Sequence, residues 1–257
     1  MVALLTFHTL AQQFINALGV GSSYALLALG LAMVFSVLGM VNFAHGELVT
    51  VSAYTVYLLD QQGIPFWAQV PIAILASTVT ALLMERLAFR PLRNAGFITL
   101  LFTSFALSTI IRNLFLRFVA ARELAAPVPN FFAQYQILGG YSVGNTTLVT
   151  AGSALIAVVL LTLFLRRSRH GVAMLAASQD FQIARAMGVR ANRVIALAFA
   201  ISGALAGLAG IFVVATRGTV DPTMGFDPVL VAFICTVIGG LGSLPGAVIG
   251  GFVYAFI

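Results

Sequence analysis

Apolar runs of roughly membrane-spanning length recur along the chain, and short polar clusters separate them. The long runs cover 11–37, 67–84, 97–116, 148–165 and 194–215. Shorter ones cover 48–59 and 229–238, and a last run reaches residue 257. About 20 consecutive apolar residues cross a bilayer as a helix, which satisfies its own backbone hydrogen bonds there. A β-barrel would instead alternate apolar and polar residues in segments of roughly ten, and no such pattern is present. The pattern predicts an all-α, polytopic membrane protein with about eight membrane segments, some of them short or broken. The polar, proline-containing stretch 117–147 reads as a loop.

Charge refines this picture. Only 8% of the 257 residues are charged, and all thirteen basic residues are arginine. Without lysine the chain cannot carry a P-loop, whose lysine reaches the nucleotide phosphates. Nine arginines fall in 85–96 and 166–193; four, Arg112, Arg117, Arg122 and Arg217, fall on the opposite side. The positive-inside rule then places 85–96 and 166–193 in the cytoplasm and the N-terminus outside. The N-terminal residues lack a basic n-region and a small-residue cleavage site, so the first run is expected to remain as a membrane helix. The single Cys235 excludes an internal disulfide framework, and the scattered histidines predict no metal site. The basic balance reads as topology, not as nucleic-acid binding. The last apolar run has no polar stop, so the natural protein is expected to continue past Ile257.

Two places interrupt the helical pattern. VNFAHGEL (41–48) sets Asn42, His45, Gly46 and Glu47 between apolar runs, and IGGLGSLPGA (238–247) contains Gly239, Gly240, Gly242, Ser243, Pro245 and Gly246. The adjoining runs are too short to span alone, and transporters use such breaks near the midplane to bind or pass substrate. A carboxylate at the centre of a membrane helix costs at least ~2.5 kcal/mol, which makes Glu47 a functional candidate. Two plainer readings stand beside it: a solvated loop, or a buried polar knot that only satisfies loose backbone. Ser243 with His45 could also be imagined as a nucleophile and base, although serine in a glycine-rich break is usually structural.

Between 171 and 190, Met174, Ala177, Phe181, Ala184 and Met187 recur every three or four residues, as on one face of a helix. Asp180, Gln182 and Arg185 occupy other faces, and Gly188 suits a helix C-terminus. Such a helix could dock into a partner's groove or rest on the bilayer. Gly203 with Gly207, and Gly242 with Gly246 and Gly250, allow close helix packing and are compatible with a dimer.

Taken together and in register, NFAHGE, the 171–190 segment and GGLGSLPGAVIGG resemble the permeases of branched-chain amino acid ABC transporters. Urea and short-amide permeases share similar motifs. The resemblance covers essentially the whole chain and implies one permease domain over 1–257. It implies a bacterial inner-membrane subunit paired with a second permease, two ATPases that bind the ATP, and a periplasmic binding protein. It also implies that Ala177, Asp180, Phe181, Gln182, Ala184, Arg185, Met187 and Gly188 belong to a coupling segment seated in an ATPase groove. No cofactor is expected on this chain. The segment departs from the family's Glu-Ala-Ala-x3-Gly pattern by carrying Gln182-Ile183-Ala184, and Val172 stands where relatives carry arginine. A self-sufficient channel or secondary transporter for a small neutral solute is the alternative, and would need no ATPase.

Overall fold

In a computed structural model, which describes residues 2–93, 95–119 and 121–257, apolar helices dominate as expected. They are α1 (Val2–Leu38), α2 (His45–Gln61), α3 (Phe66–Met84, continued by a π-helical turn Glu85–Phe89) and α4 (Phe97–Phe118). After a linking region come α6 (Asn145–Arg167), α9 (Ala191–Arg217), α10 (Phe226–Gly239) and α11 (Leu244–Phe256). Among the described residues, five helices are long and apolar enough to cross a membrane: α1, α3 with its π turn, α4, α6 and α9. α10 and α11 form a pair bent by 116°.

The stretch 117–147, expected as a loop, has structure of its own. α4 extends to Phe118 and α6 begins at Asn145; between them lie β1 (Leu124–Ala125), the short α5 (Asn130–Ala133), and a hairpin of β2 (Tyr135–Leu138) with β3 (Tyr141–Gly144). β1 pairs antiparallel with β4 (Thr219–Val220), which follows α9. The hairpin sits over the start of α1: Gln12 donates to Ser142 O at 2.6 Å and accepts from Ser142 N at 3.0 Å.

α1 and α9 form the centre, with α2, α3, α10 and α11 packed around them. α3, α4 and α6 lie outside, showing Leu75, Phe102, Ile110, Ile156 and Leu160 on their outer faces. Lipid is as apolar as these side chains, so helix association must come from close packing and polar contacts. The small-residue stripes supply the close packing inside one chain: Gly203 and Gly207 face Ser77, Thr78 and Ile74 of α3, and Gly246 and Gly250 face α10. These stripes are therefore occupied within the chain and are not free to form a dimer face.

The segment 171–190, expected as one helix, is two: α7 (Arg169–Gln179) and α8 (Phe181–Ala186). Asp180 separates them. Its backbone is extended, and its Oδ1 accepts from Gln182 N at 2.8 Å and Ile183 N at 2.9 Å, capping α8. Met174, Ala177 and Ala184 are buried as the periodicity predicts, but Met187 is 81% exposed beyond the end of α8. Gly188 has φ +89°, the left-handed conformation expected after a helix end.

Candidate functional site at the helix breaks

α1 stops at Leu38, and Gly39, with φ +65°, turns the chain back. Residues 40–44 then return into the bundle without regular structure. Asn42 Oδ1 accepts from Ala44 N at 3.1 Å, and Phe43 N donates to Ser104 Oγ of α4 at 3.3 Å. α2 begins at His45, whose ring lies against Gly30 of α1. Gly30 precedes Leu38 by eight residues, about 12 Å along a helix. The start of α2 is therefore set well back from the end of α1, inside the bundle. Asn42 and Glu47 are 1% exposed and His45 is fully buried, which overturns the solvated-loop reading.

α10 starts at the same level. The backbones of Gly225 and Gly46 touch so closely that neither position has room for a Cβ. From this contact α2 runs toward the end where α1 begins, beside Val214 and Val220, and α10 runs toward the end where α1 finishes. Two helix N-termini, each the positive end of a peptide dipole, thus meet inside the bundle. Glu47 lies in the first turn of α2 and Asp227 in that of α10.

The polar partners come from elsewhere in the chain. His45 Nδ1 shares a hydrogen bond with Ser202 Oγ of α9 at 3.0 Å. Ser108 Oγ of α4 donates to Glu47 Oε1 at 2.7 Å, and Arg112 Nη2 lies 3.8 Å from the same oxygen. The Arg112 guanidinium also sits 5.0 Å from the centre of the Phe226 ring, within cation–π range. Asn42 Nδ2, Glu47 Oε2, Thr50 Oγ1 and Arg112 Nε are buried without a hydrogen-bond partner. Sequence reasoning missed Ser104, Ser108 and Arg112. Their spacing of four, one stripe on α4, was the available signal.

The second break lies elsewhere. Gly240 and Gly242, with φ +93° and +85°, turn α10 into α11, and the backbones of Gly239 and Gly246 cross in contact. Ser243 Oγ accepts from Gly246 N at 3.1 Å and so caps α11. That role, with His45 held by Ser202, removes the nucleophile-and-base reading. Gly242, Ser243 and Pro245 border a cavity of about 210 Å³ shared with Ser36 of α1 and with Met174 and Ser178 of α7. The whole of α10, roughly 21 Å of helix, separates this elbow from the Gly46–Gly225 contact. The two breaks are therefore not one midplane site: one is a buried polar centre, the other an elbow against α7. Among the described residues, no three His, Cys, Asp or Glu side chains converge as metal ligands.

Comparison with known proteins gives a consistent result. Residues 13–257 match the family model described as branched-chain amino acid transport system / permease component. The chain is 35% identical to the high-affinity branched-chain amino acid transport system permease protein LivH of Escherichia coli K12, over 94% of this chain and 82% of that protein. It is 33% identical to BraD of Pseudomonas aeruginosa, a permease of the same description, over 95% of this chain and 83% of BraD. The fructose import permease protein FruF of Bifidobacterium longum is 28% identical over 96% of this chain and 70% of its own length. No solved structure matches. The chain belongs to the family of branched-chain amino acid transport permeases.

Proposed function

We propose that this permease is the membrane subunit of an ATP-driven importer that carries branched-chain amino acids across a bacterial inner membrane. The observation that carries the reading is its likeness to LivH and BraD along nearly the whole chain. In this reading the N-terminus faces outward, and α7 and α8 lie in the cytoplasm among the arginine-rich ends. ATP is bound by two partner ATPases, since a chain without lysine has no P-loop of its own. A second permease subunit and a periplasmic binding protein complete the assembly.

The coupling contact is assigned to α7 and α8. Val172, Leu175, Ile183 and Met187 are apolar yet exposed, on a segment outside the membrane-length helices. α7 also borders the elbow between α10 and α11, so a shift of α7 has a short route into the bundle. The buried centre around Glu47 is placed beside the translocation path. The likeness to FruF supports a second reading, in which the solute is an uncharged polar molecule such as a sugar, an amide or urea.

Co-purification tests the assembly. The full-length gene is expressed with its chromosomal neighbours and extracted in mild detergent. The expected outcome is a bound ATPase that is lost when Ala184 and Gly188 are changed to bulky residues. A chain that purifies alone and moves solute without nucleotide would instead be a channel or secondary transporter.

A further inference from the structure

The buried centre contains one carboxylate and one guanidinium that face each other without completing a bond. Arg112 Nη2 is 3.8 Å from Glu47 Oε1, close enough to feel the charge and too far for a hydrogen bond. Glu47 Oε2 and Arg112 Nε remain without partners although both atoms are buried. Leaving such charged groups unsatisfied is expensive in an apolar interior, and a native site that does so calls for a missing partner. We propose that Glu47 and Arg112 are the two poles of a binding subsite for a zwitterionic α-amino acid. The ammonium group meets Glu47 Oε2, and the carboxylate meets the Arg112 guanidinium.

Charge balance favours this ligand. The pair is neutral and a zwitterion is neutral, so the complex places no net charge inside the bundle. A sugar, amide or urea cannot supply an opposite charge to each pole. Ser108 holds one oxygen of Glu47 and leaves the other free, while Phe226 supports the guanidinium plane. Arg112 is 28% exposed along its side chain, so part of it lies outside the sealed centre. Phe43, stacked on Phe105 at 4.5 Å and 5.5 Å from Phe233, offers an apolar wall one turn along α4 from Ser108. The inference rests on the amino-acid reading above and adds which residues recognise the substrate inside the membrane subunit.

The test uses the complete transporter with its co-expressed partners and radiolabelled leucine at saturating concentration. Glu47→Gln and Arg112→Gln are each expected to lower the uptake rate at least tenfold, with unchanged recovery of the assembled complex, and Arg112→Lys is expected to retain more than Arg112→Gln. The double variant Glu47→Gln/Arg112→Gln separates the explanations. If the two side chains only neutralise each other, removing both charges restores uptake, and the subsite is overturned. If each binds one end of the ligand, the double variant stays as slow as the singles. Where a charge variant fails to assemble, Ser108→Cys in the otherwise unchanged chain gives a second readout. Leucine is expected to slow its modification by a small thiol reagent at least threefold, and absence of protection overturns the proposal. Full leucine uptake by both single variants defeats this subsite alone. Uptake of an uncharged solute and not leucine by the unaltered transporter defeats the amino-acid reading and the subsite with it.

Discussion

Glu85 and Glu47 are both buried, yet their surroundings assign them different work. Glu85 is gripped on both oxygens: Arg90 reaches Oε2 at 3.0 Å and Arg93 reaches Oε1 at 2.7 Å, while Arg93 also donates to Asn192 Oδ1 at the start of α9. Such a satisfied cluster is a clamp. Glu85→Ala takes away the carboxylate that Arg90 and Arg93 share, and losing hydrogen bonds to a charged group costs about 1.5–3 kcal/mol. The expected result is a sharp fall in the melting temperature and yield of the purified protein. Gly46→Ala forces a methyl group into the Gly225 carbonyl, an overpacking that costs about 1–3 kcal/mol, read in the same melting experiment. At this scale the sequence revealed half of the centre. Asn42, His45 and Glu47 stood out because polar residues among apolar runs are conspicuous. Ser108, Arg112 and Ser202 did not, because each lies on a distant helix and looks ordinary in its own neighbourhood. Arg112 in particular reads as a topology charge toward the end of the 97–116 run until α4 is seen to carry it beside Glu47.

Helices were legible wherever an apolar run was long, because run length alone reports a span. The coupling segment shows where periodicity misleads. Met174, Ala177, Phe181 and Ala184 keep helical spacing straight through Asp180, although the backbone there is extended and two helices meet. Capping chemistry overrode the pattern: an aspartate side chain that binds the next turn's N–H groups starts a new helix. The six-residue α8 is too short to persist by itself. Asp180→Ala is therefore expected to weaken α8 by about 0.5–2 kcal/mol. In the proposed assembly, ATPase recovered with the permease should fall by several-fold, while melting of the isolated membrane subunit changes little. Unchanged recovery would place the partner contact on another segment. The strands of the linking region were invisible for another reason. β1 and β4 are two residues each, and their only definition is their pairing across the intervening chain from α5 to α9.

For the molecule as a whole, the proposed orientation makes a direct prediction. Cys235 is buried, so single cysteines can be introduced over a quiet background. A cysteine at Ser142, on the hairpin over the start of α1, should react with an impermeant maleimide in intact cells. One at Gln182 in α8 should react only after permeabilisation. The reverse pattern would invert the topology and remove α7 and α8 from any cytoplasmic partner. Most of the architecture followed from the spacing of apolar runs, but the relation between the two breaks did not. Both read as equivalent glycine-rich interruptions, and only packing shows that one lies beside the start of α10 and the other at its end.

The contact between Gly46 and Gly225 also bears on how the protein is made. The start of α2 emerges early in synthesis, with Asn42, His45 and Glu47 attached to a helix of only 17 residues. Ser108 and Arg112 arrive later with α4, Ser202 later still with α9, and the backbone that covers Gly46 arrives after all of these, with α10. Until then the nascent chain holds polar groups against lipid or the insertion machinery. The long α1 and α9 can partition into the bilayer independently, in the first of two assembly stages, whereas α2 and α10 settle only when those walls stand. A chain interrupted before Gly225 is thus an unsealed intermediate, a natural point for membrane quality control to recognise.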